Sequence, residues 1–124
     1  ISEAKVVSAF VEKYYPVLTP FGDNERYDIV VEIEGDFKKV QIKTAKLKDG
    51  YLSIPISTSY NHRGKGRVLY SKEDIDFLAV YSPDLDQVYL IPIEESIQAA
   101  INLRIDEAKN GQKKGIRYAK DYIL

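Results

Sequence analysis

A small set of residues combines type and spacing suited to chemistry: Asp28, the triplet Gln41-Ile42-Lys43, and Glu3 well before them. An aspartate at the start of one strand, with an oxygen donor and a lysine two apart on the partner strand, makes a site for phosphodiester hydrolysis. The carboxylate and a second oxygen donor hold Mg²⁺, which takes near-octahedral oxygen ligands. The ammonium stabilises negative charge or helps place the attacking water.

That chemistry depends on elements able to bring the residues together. Ser2 is a plausible N-cap, and Val6, Val7, Phe10, Val11 and Tyr14 recur at three-and-four spacing, so residues 3–15 read as an amphipathic helix stopped by Pro16. Tyr14, Phe10 and Val7 lead back along one face to Glu3, which puts a carboxylate at the end of the inward stripe. A role limited to complementing the positive helix terminus is the alternative for Glu3. Residues 17–19 form a short extended piece, followed by a turn-rich loop, Pro20 to Asn24.

Two β-rich runs, residues 28–34 and 37–45, are separated by Gly35 and Asp36, a connection of hairpin length. Pairing Glu34 with Phe37 places Asp28 opposite Lys43 and Val30 opposite Gln41, with Asp28, Gln41 and Lys43 on one face. Cross-strand neighbours lie about 5 Å apart, within reach of a common ion or phosphate. A slip of one residue at this turn would break the cluster.

Further along, residues 51–57 alternate Leu52, Ile54 and Ile56 on one side, with Pro55 suggesting an edge strand. Residues 58–70 form a basic, glycine-punctuated loop without an acid. A short capped turn, residues 71–74, leads into the apolar run 75–81. Residues 83–86 make a turn and 87–93 a strand, and 94–109 read as a helix built on Ile97, Ala100, Ile101 and Ile105. The end, residues 110–124, is basic and aromatic. No internal repeat or low-complexity linker divides the chain, so one domain is expected over residues 1–124, with a basic extension from about residue 110.

Composition narrows the chemistry. The 124 residues are 44% hydrophobic and 30% charged, enough for one domain with a real core. With no cysteine and one histidine, disulfide frameworks, iron–sulfur clusters, thiolate zinc sites and His-rich metal centres are excluded, so a metal must be held by oxygens. No apolar run nears the roughly 20 residues of a membrane span, and the N-terminal stretch lacks a signal-peptide layout, which points to the cytoplasm and away from membranes. The start at Ile1 implies a few native residues ahead of it. Net charge is −1, yet residues 37–72 carry nine Lys/Arg against one acid and residues 73–108 one against nine. Such blocks suggest a bipolar surface whose basic side meets a polyanion, although runs of charge can also fold onto mixed faces.

The set Glu3, Asp28 and Gln41-Ile42-Lys43 resembles the PD-(D/E)XK nuclease superfamily, whose signature is a helix acid, a strand Asp and Glu-x-Lys on the next strand. The stretch Gly22-Asp23-Asn24-Glu25-Arg26-Tyr27-Asp28, the segment Gln41-Ile42-Lys43-Thr44, and Ile75-Asp76-Phe77 to Tyr81 are similar to the branch containing group I intron homing endonucleases of cyanobacterial type. The similarity runs from about Glu3 to Ile93. It implies an α/β, restriction-endonuclease-like core with a mixed central β-sheet flanked by helices, and Mg²⁺-dependent DNA cleavage. Glu3, Asp28 and Gln41 would then be catalytic metal ligands and Lys43 the motif lysine. Mn²⁺ should substitute for Mg²⁺.

Gln41 departs from the superfamily pattern, because an amide oxygen ligates a cation without bringing charge. The homing-endonuclease branch also uses Gln there. Asp23 and Glu25 have turn roles rather than ligand roles.

Under this reading Arg63, Lys65 and Arg67 contact phosphates of double-stranded DNA, with Gly64 and Gly66 allowing close approach. Lys113, Lys114, Arg117 and Lys120, interleaved with Tyr118 and Tyr122, form a second DNA-facing element or a dimer contact. His62 reads as a loop donor and Asp76 as a structural acid. Cutting two strands requires two sites, hence a homodimer or homotetramer. The alternatives are a Holliday-junction resolvase, against which Gln41 counts, and a non-catalytic DNA-binding module.

Overall fold

Two X-Gly turns set the pairing of the first strands. The computed structural model of the chain describes residues 1–22, 25–55, 72–93, 100–105 and 117–124. Within these, helix α1 (Ser2–Glu12) is followed by β1 (Val17–Leu18), β2 (Ile29–Ile33), β3 (Asp36–Thr44), β4 (Lys46–Lys48), β5 (Tyr51–Pro55), β6 (Phe77–Ser82), β7 (Gln87–Pro92) and β8 (Ala100–Arg104). A 3₁₀ turn spans Ala119–Tyr122. The larger sheet has the order β1-β2-β3-β6-β7 and the smaller one β4-β5-β8. All pairs are antiparallel except β3 with β6, so the larger sheet is mixed, as the resemblance implied.

The β2–β3 register differs from the expected one. Ile33 pairs with Asp36 and Glu32 with Phe37, so the turn is Glu34-Gly35 rather than Gly35-Asp36. Both turn residues have positive φ, 52° and 85°. A hairpin turn of this kind needs φ > 0 twice and favours glycine at the second position, which only Glu34-Gly35 provides. The pairing therefore moves by two in summed residue number, and each side chain keeps its face. Asp49-Gly50 repeats the device between β4 and β5, with φ of 44° and 84°.

Apolar side chains then sort by strand period into two cores. On one face of the larger sheet, Val6 and Phe10 of α1 pack on Ile29, Val31, Val40, Ala79, Tyr81 and Val88. On the other, Leu78, Val80, Tyr89 and Ile91 meet Leu52, Ile54, Ile101 and Leu103 of the smaller sheet. The larger sheet thus lies between a helix and a second sheet, and β6 is buried on both sides. Among the described residues no helix is long and apolar enough to cross a membrane.

Several expectations need correcting. Residues 100–104, read as part of a helix over 94–109, form β8: Ile101 and Leu103 are buried and Asn102 is exposed, a period of two that β5 completes by pairing. The rest of that segment, 94–99 and 106–109, lies outside the described residues. Pro55 does not mark an edge strand; β5 is central in its sheet and Pro55 sits at its last position. Ser2 is the first helical residue rather than the cap, Ile1 holding the cap position. Asp76 is the structural acid expected, its Oδ2 accepting the Lys39 N–H at 2.8 Å.

The helix also ends before Pro16. Tyr14 adopts φ 66°, its N–H donates to Val11 O at 2.9 Å, and Tyr15 N–H donates to Phe10 O at 3.1 Å. This is a Schellman end with Tyr14 in the left-handed position, and the Tyr15 ring meets Phe10 edge-on at 6.1 Å as the accompanying apolar contact. Tyr14 is 93% exposed, which removes it from the inward stripe. A left-handed conformation costs a side-chain-bearing residue about 1–2 kcal/mol, so Tyr14→Gly should raise stability by about 0.5–1 kcal/mol once the added chain entropy is subtracted. Urea unfolding would register this as a higher midpoint at unchanged slope; a lower midpoint would contradict it.

Candidate active site

The site forms where β2 stops and β3 continues. The ladder ends at Ile29 opposite Val40, and Asp28, in a bend just before β2, makes one more main-chain bond, from its N–H to Val40 O at 2.9 Å. Its carboxylate then takes the place of the missing strand: Oδ2 accepts the Ile42 N–H at 2.8 Å and the Gln41 Nε2–H at 2.8 Å. Because Ile42 N–H points along the sheet, the half-buried Asp28 carboxylate lies in the plane of the sheet rather than above or below it. Groups on both faces can reach such a position.

Lys43 approaches from the face it shares with Gln41, beside Val80 of β6 in the parallel register. It is half-buried, and burial lowers its pKa from the ordinary lysine value, while the Asp28 charge opposes that shift. Glu3 comes from the first turn of α1, on the opposite side. It is exposed rather than inward-facing, since Val6 and Phe10 form the buried stripe. Even so, Glu3 and Asp28 line one hollow of about 590 Å³, together with Ile1, Ser2, Ile42, Thr44, Tyr81 and Pro83.

Two side-chain clamps hold the turn that carries Glu3. Ser2 Oγ and Thr44 Oγ1 share a hydrogen bond of 2.5 Å, which ties the start of α1 to the residue after Lys43. Asp86 Oδ1 accepts from Tyr81 OH at 2.7 Å and from Lys5 Nζ at 3.2 Å, which ties the next part of the turn to β6 and the β6–β7 turn. These donors hold the Asp86 carboxyl below its ordinary pKa, Tyr81 contributing most. Lys5 also lies 5.7 Å from the centre of the Tyr81 ring. Sequence reasoning missed the Ser2–Thr44 and Lys5–Asp86 pairs, which are separated by 42 and 81 positions and carry no local signal.

The structure thus brings Asp28, Gln41 and Lys43 together at the hairpin, and Glu3 shares a hollow with Asp28 alone of the three. The expected partner of Asp28 changes: Gln41 rather than Lys43 lies next to it, because of the turn shift. Among the described residues no group of three or more His, Cys, Asp or Glu gathers as a metal site. Glu3 and Asp28 bring two carboxylates to the hollow, and the Gln41 amide is bonded to Asp28 at its edge; these are hard oxygen donors, suited to Mg²⁺ or Mn²⁺ and unsuited to soft metals. Both hydrogen bonds to Asp28 fall on Oδ2, and neither uses Oδ1.

Arg63, Lys65, Arg67, Lys113, Lys114, His62 and Asp23 lie outside the described residues. Arg117 is exposed and away from the hollow, and its carbonyl accepts the Arg104 N–H at 2.8 Å beside β8. Glu25 is exposed in the loop ahead of Asp28, as a turn residue would be.

The comparisons bear on the fold and the family. No curated protein sequence matches the chain. Among solved structures it is similar to the bacterial homing endonuclease I-Ssp6803I, with 26% identity, a TM-score of 0.74, and coverage of 98% of this chain and 83% of that one. The family model for PD-(D/E)XK endonucleases matches residues 1–124. Nucleases of that family generally use divalent metal ions and act on DNA. With the family model matching it from residue 1 to residue 124, this chain belongs to the PD-(D/E)XK endonuclease family.

Proposed function

We propose that this endonuclease is of the homing type and hydrolyses double-stranded DNA with Mg²⁺, using Glu3, Asp28 and Gln41 as ligands and Lys43 as the charge-stabilising group. The observation that carries the reading is the in-plane Asp28 carboxylate, bonded to Gln41 and Ile42 N–H, within the electric field of Lys43 and in one hollow with Glu3. When bound, the ion supplies positive charge at the phosphate and makes water a stronger acid. Asp28 and Glu3 bring the two negative charges that retain it, and Gln41 contributes through Oε1 after its amide turns from the Asp28 bond.

Lys43 Nζ donates to a non-bridging phosphate oxygen or to the attacking water, offsetting charge as the pentavalent transition state forms. Attack forms the new P–O bond as the P–O3′ bond breaks; the attacking water gives up a proton to solvent, and the leaving 3′ oxygen takes one from solvent. The likeness to I-Ssp6803I supports the homing-type assignment. Since each chain offers one such site and a duplex has two strands, the working form is a symmetric homodimer or homotetramer.

Supercoiled plasmid tests this directly. Nicked and linear products should appear with Mg²⁺ and with Mn²⁺, and should vanish when EDTA removes the ion and return when it is restored. Cutting that persists in EDTA would refute the metal-dependent reading.

A further inference from the structure

The smaller sheet has an outer face that the cleavage site does not use. Opposed residues of antiparallel strands point to the same side, so the register places Lys46, Ser53 and Asn102 in one row and Lys48, Tyr51 and Arg104 in the next. The alternate positions Leu52, Ile54, Ile101 and Leu103 are the buried ones, which directs both rows outward. The second row extends by one more member, since Tyr118 bridges Arg104 in parallel, and Lys120 Nζ lies 5.8 Å from the Tyr118 ring centre. Lys46, Lys48, Asn102 and Lys120 are exposed, and Tyr51, Ser53, Arg104 and Tyr118 are half-buried.

No acid occupies either row. Among the described residues, Asp49 lies in the β4–β5 turn, Asp121 follows Lys120 in the 3₁₀ turn, and Asp84 Oδ2 accepts the Leu47 N–H at 3.2 Å. Cations on a polar sheet face with hydrogen-bonding groups between them complement a polyanion rather than a protein partner, whose interface core would be depleted in lysine. The face begins three residues after Lys43 along the chain.

We infer that the outer face of β4-β5-β8, centred on Lys46, Lys48 and Arg104, is a second contact surface for duplex DNA, separate from the cleavage centre. The lysines and Arg104 take phosphates, while Tyr51, Ser53 and Asn102 donate to sugar, phosphate or base edges. The surface supplies affinity and register, and the chemistry stays at Asp28 and Lys43.

Binding and cutting can be separated to test this. In an Asp28→Asn background, duplex affinity is measured by fluorescence anisotropy over a series of salt concentrations for Lys46→Ala/Lys48→Ala, with Lys13→Ala as an exposed control at the end of α1. The double variant should bind roughly tenfold more weakly at 0.1 M salt, and the slope of log affinity against log salt should flatten by about 1.8, or about 0.9 for each lost phosphate contact. Lys13→Ala should leave the slope unchanged. With Asp28 intact, the double variant should raise KM for DNA and leave kcat near its original value. Circular dichroism checks that the variants are folded, and Lys46→Arg/Lys48→Arg should restore the slope. A double variant with the original affinity and slope overturns the inference, and so does a Lys13→Ala loss of equal size, which would mark a net-charge effect.

Discussion

Asp28→Asn should reduce DNA cleavage by at least about a thousandfold while leaving the fold intact, an effect at or beyond that of deleting one electrostatic group from a reaction site. The asparagine keeps an oxygen that can accept the Ile42 N–H, so the seam between β2 and β3 remains closed. What disappears is one of two carboxylate charges at the hollow, and neutral Gln41 cannot replace it. Mn²⁺ affinity, read by calorimetry without DNA, should therefore fall together with cutting, and the melting temperature should not. An Asp28→Asn enzyme that nicks plasmid within tenfold of the original rate would remove this site from the mechanism.

Lys43→Met should lower the single-turnover rate by about a hundred- to a thousandfold, the size seen when one preorganised donor to a developing charge is lost. Its signature differs from that of Asp28→Asn. Removing an ammonium beside the carboxylates takes away repulsion toward a cation, so Mn²⁺ should bind as well as before or more tightly. Stability should hold within about 1 kcal/mol, because Met keeps the stem and the lost charge was partly desolvated. Loss of Mn²⁺ affinity in this variant, or full cutting by it, would mean that Lys43 has a different role.

The two variants separate because the parts of the site were legible to different degrees. Gln41 and Lys43 sit on β3 and Asp28 just ahead of β2, and the period of two puts Gln41 and Lys43 on one face with little help from elsewhere. The register was off by a turn position, since only backbone φ decides which pair of residues turns. Moving the turn by one position shifts the summed register by two, which keeps Gln41 and Lys43 on one face and brings Gln41 rather than Lys43 next to Asp28. Asp49-Gly50 carried the same hairpin signal and would have revealed β4 and β5 as a pair.

Residues 94–109 show the opposite case. Ile97, Ala100, Ile101 and Ile105 fit a helical stripe, and Ile101, Asn102 and Leu103 fit a strand equally well in isolation. The open edge of β5 settles the matter for residues 100–104, because pairing there satisfies main-chain groups and buries Ile101 and Leu103 together. No local pattern contains that edge.

From the residues alone came the α1 segment, the β2–β3 hairpin, the face shared by Gln41 and Lys43, and the oxygen-only character of any metal site, all consequences of short-range periodicity or of composition. Only the folded chain could set Glu3 across the hollow from Asp28, place the Asp28 carboxylate within the sheet plane, and lay Lys46, Lys48 and Arg104 along one outer face. Each of these rests on contacts between segments tens of residues apart, and such contacts follow from which surfaces bury each other rather than from the order of neighbours along the chain.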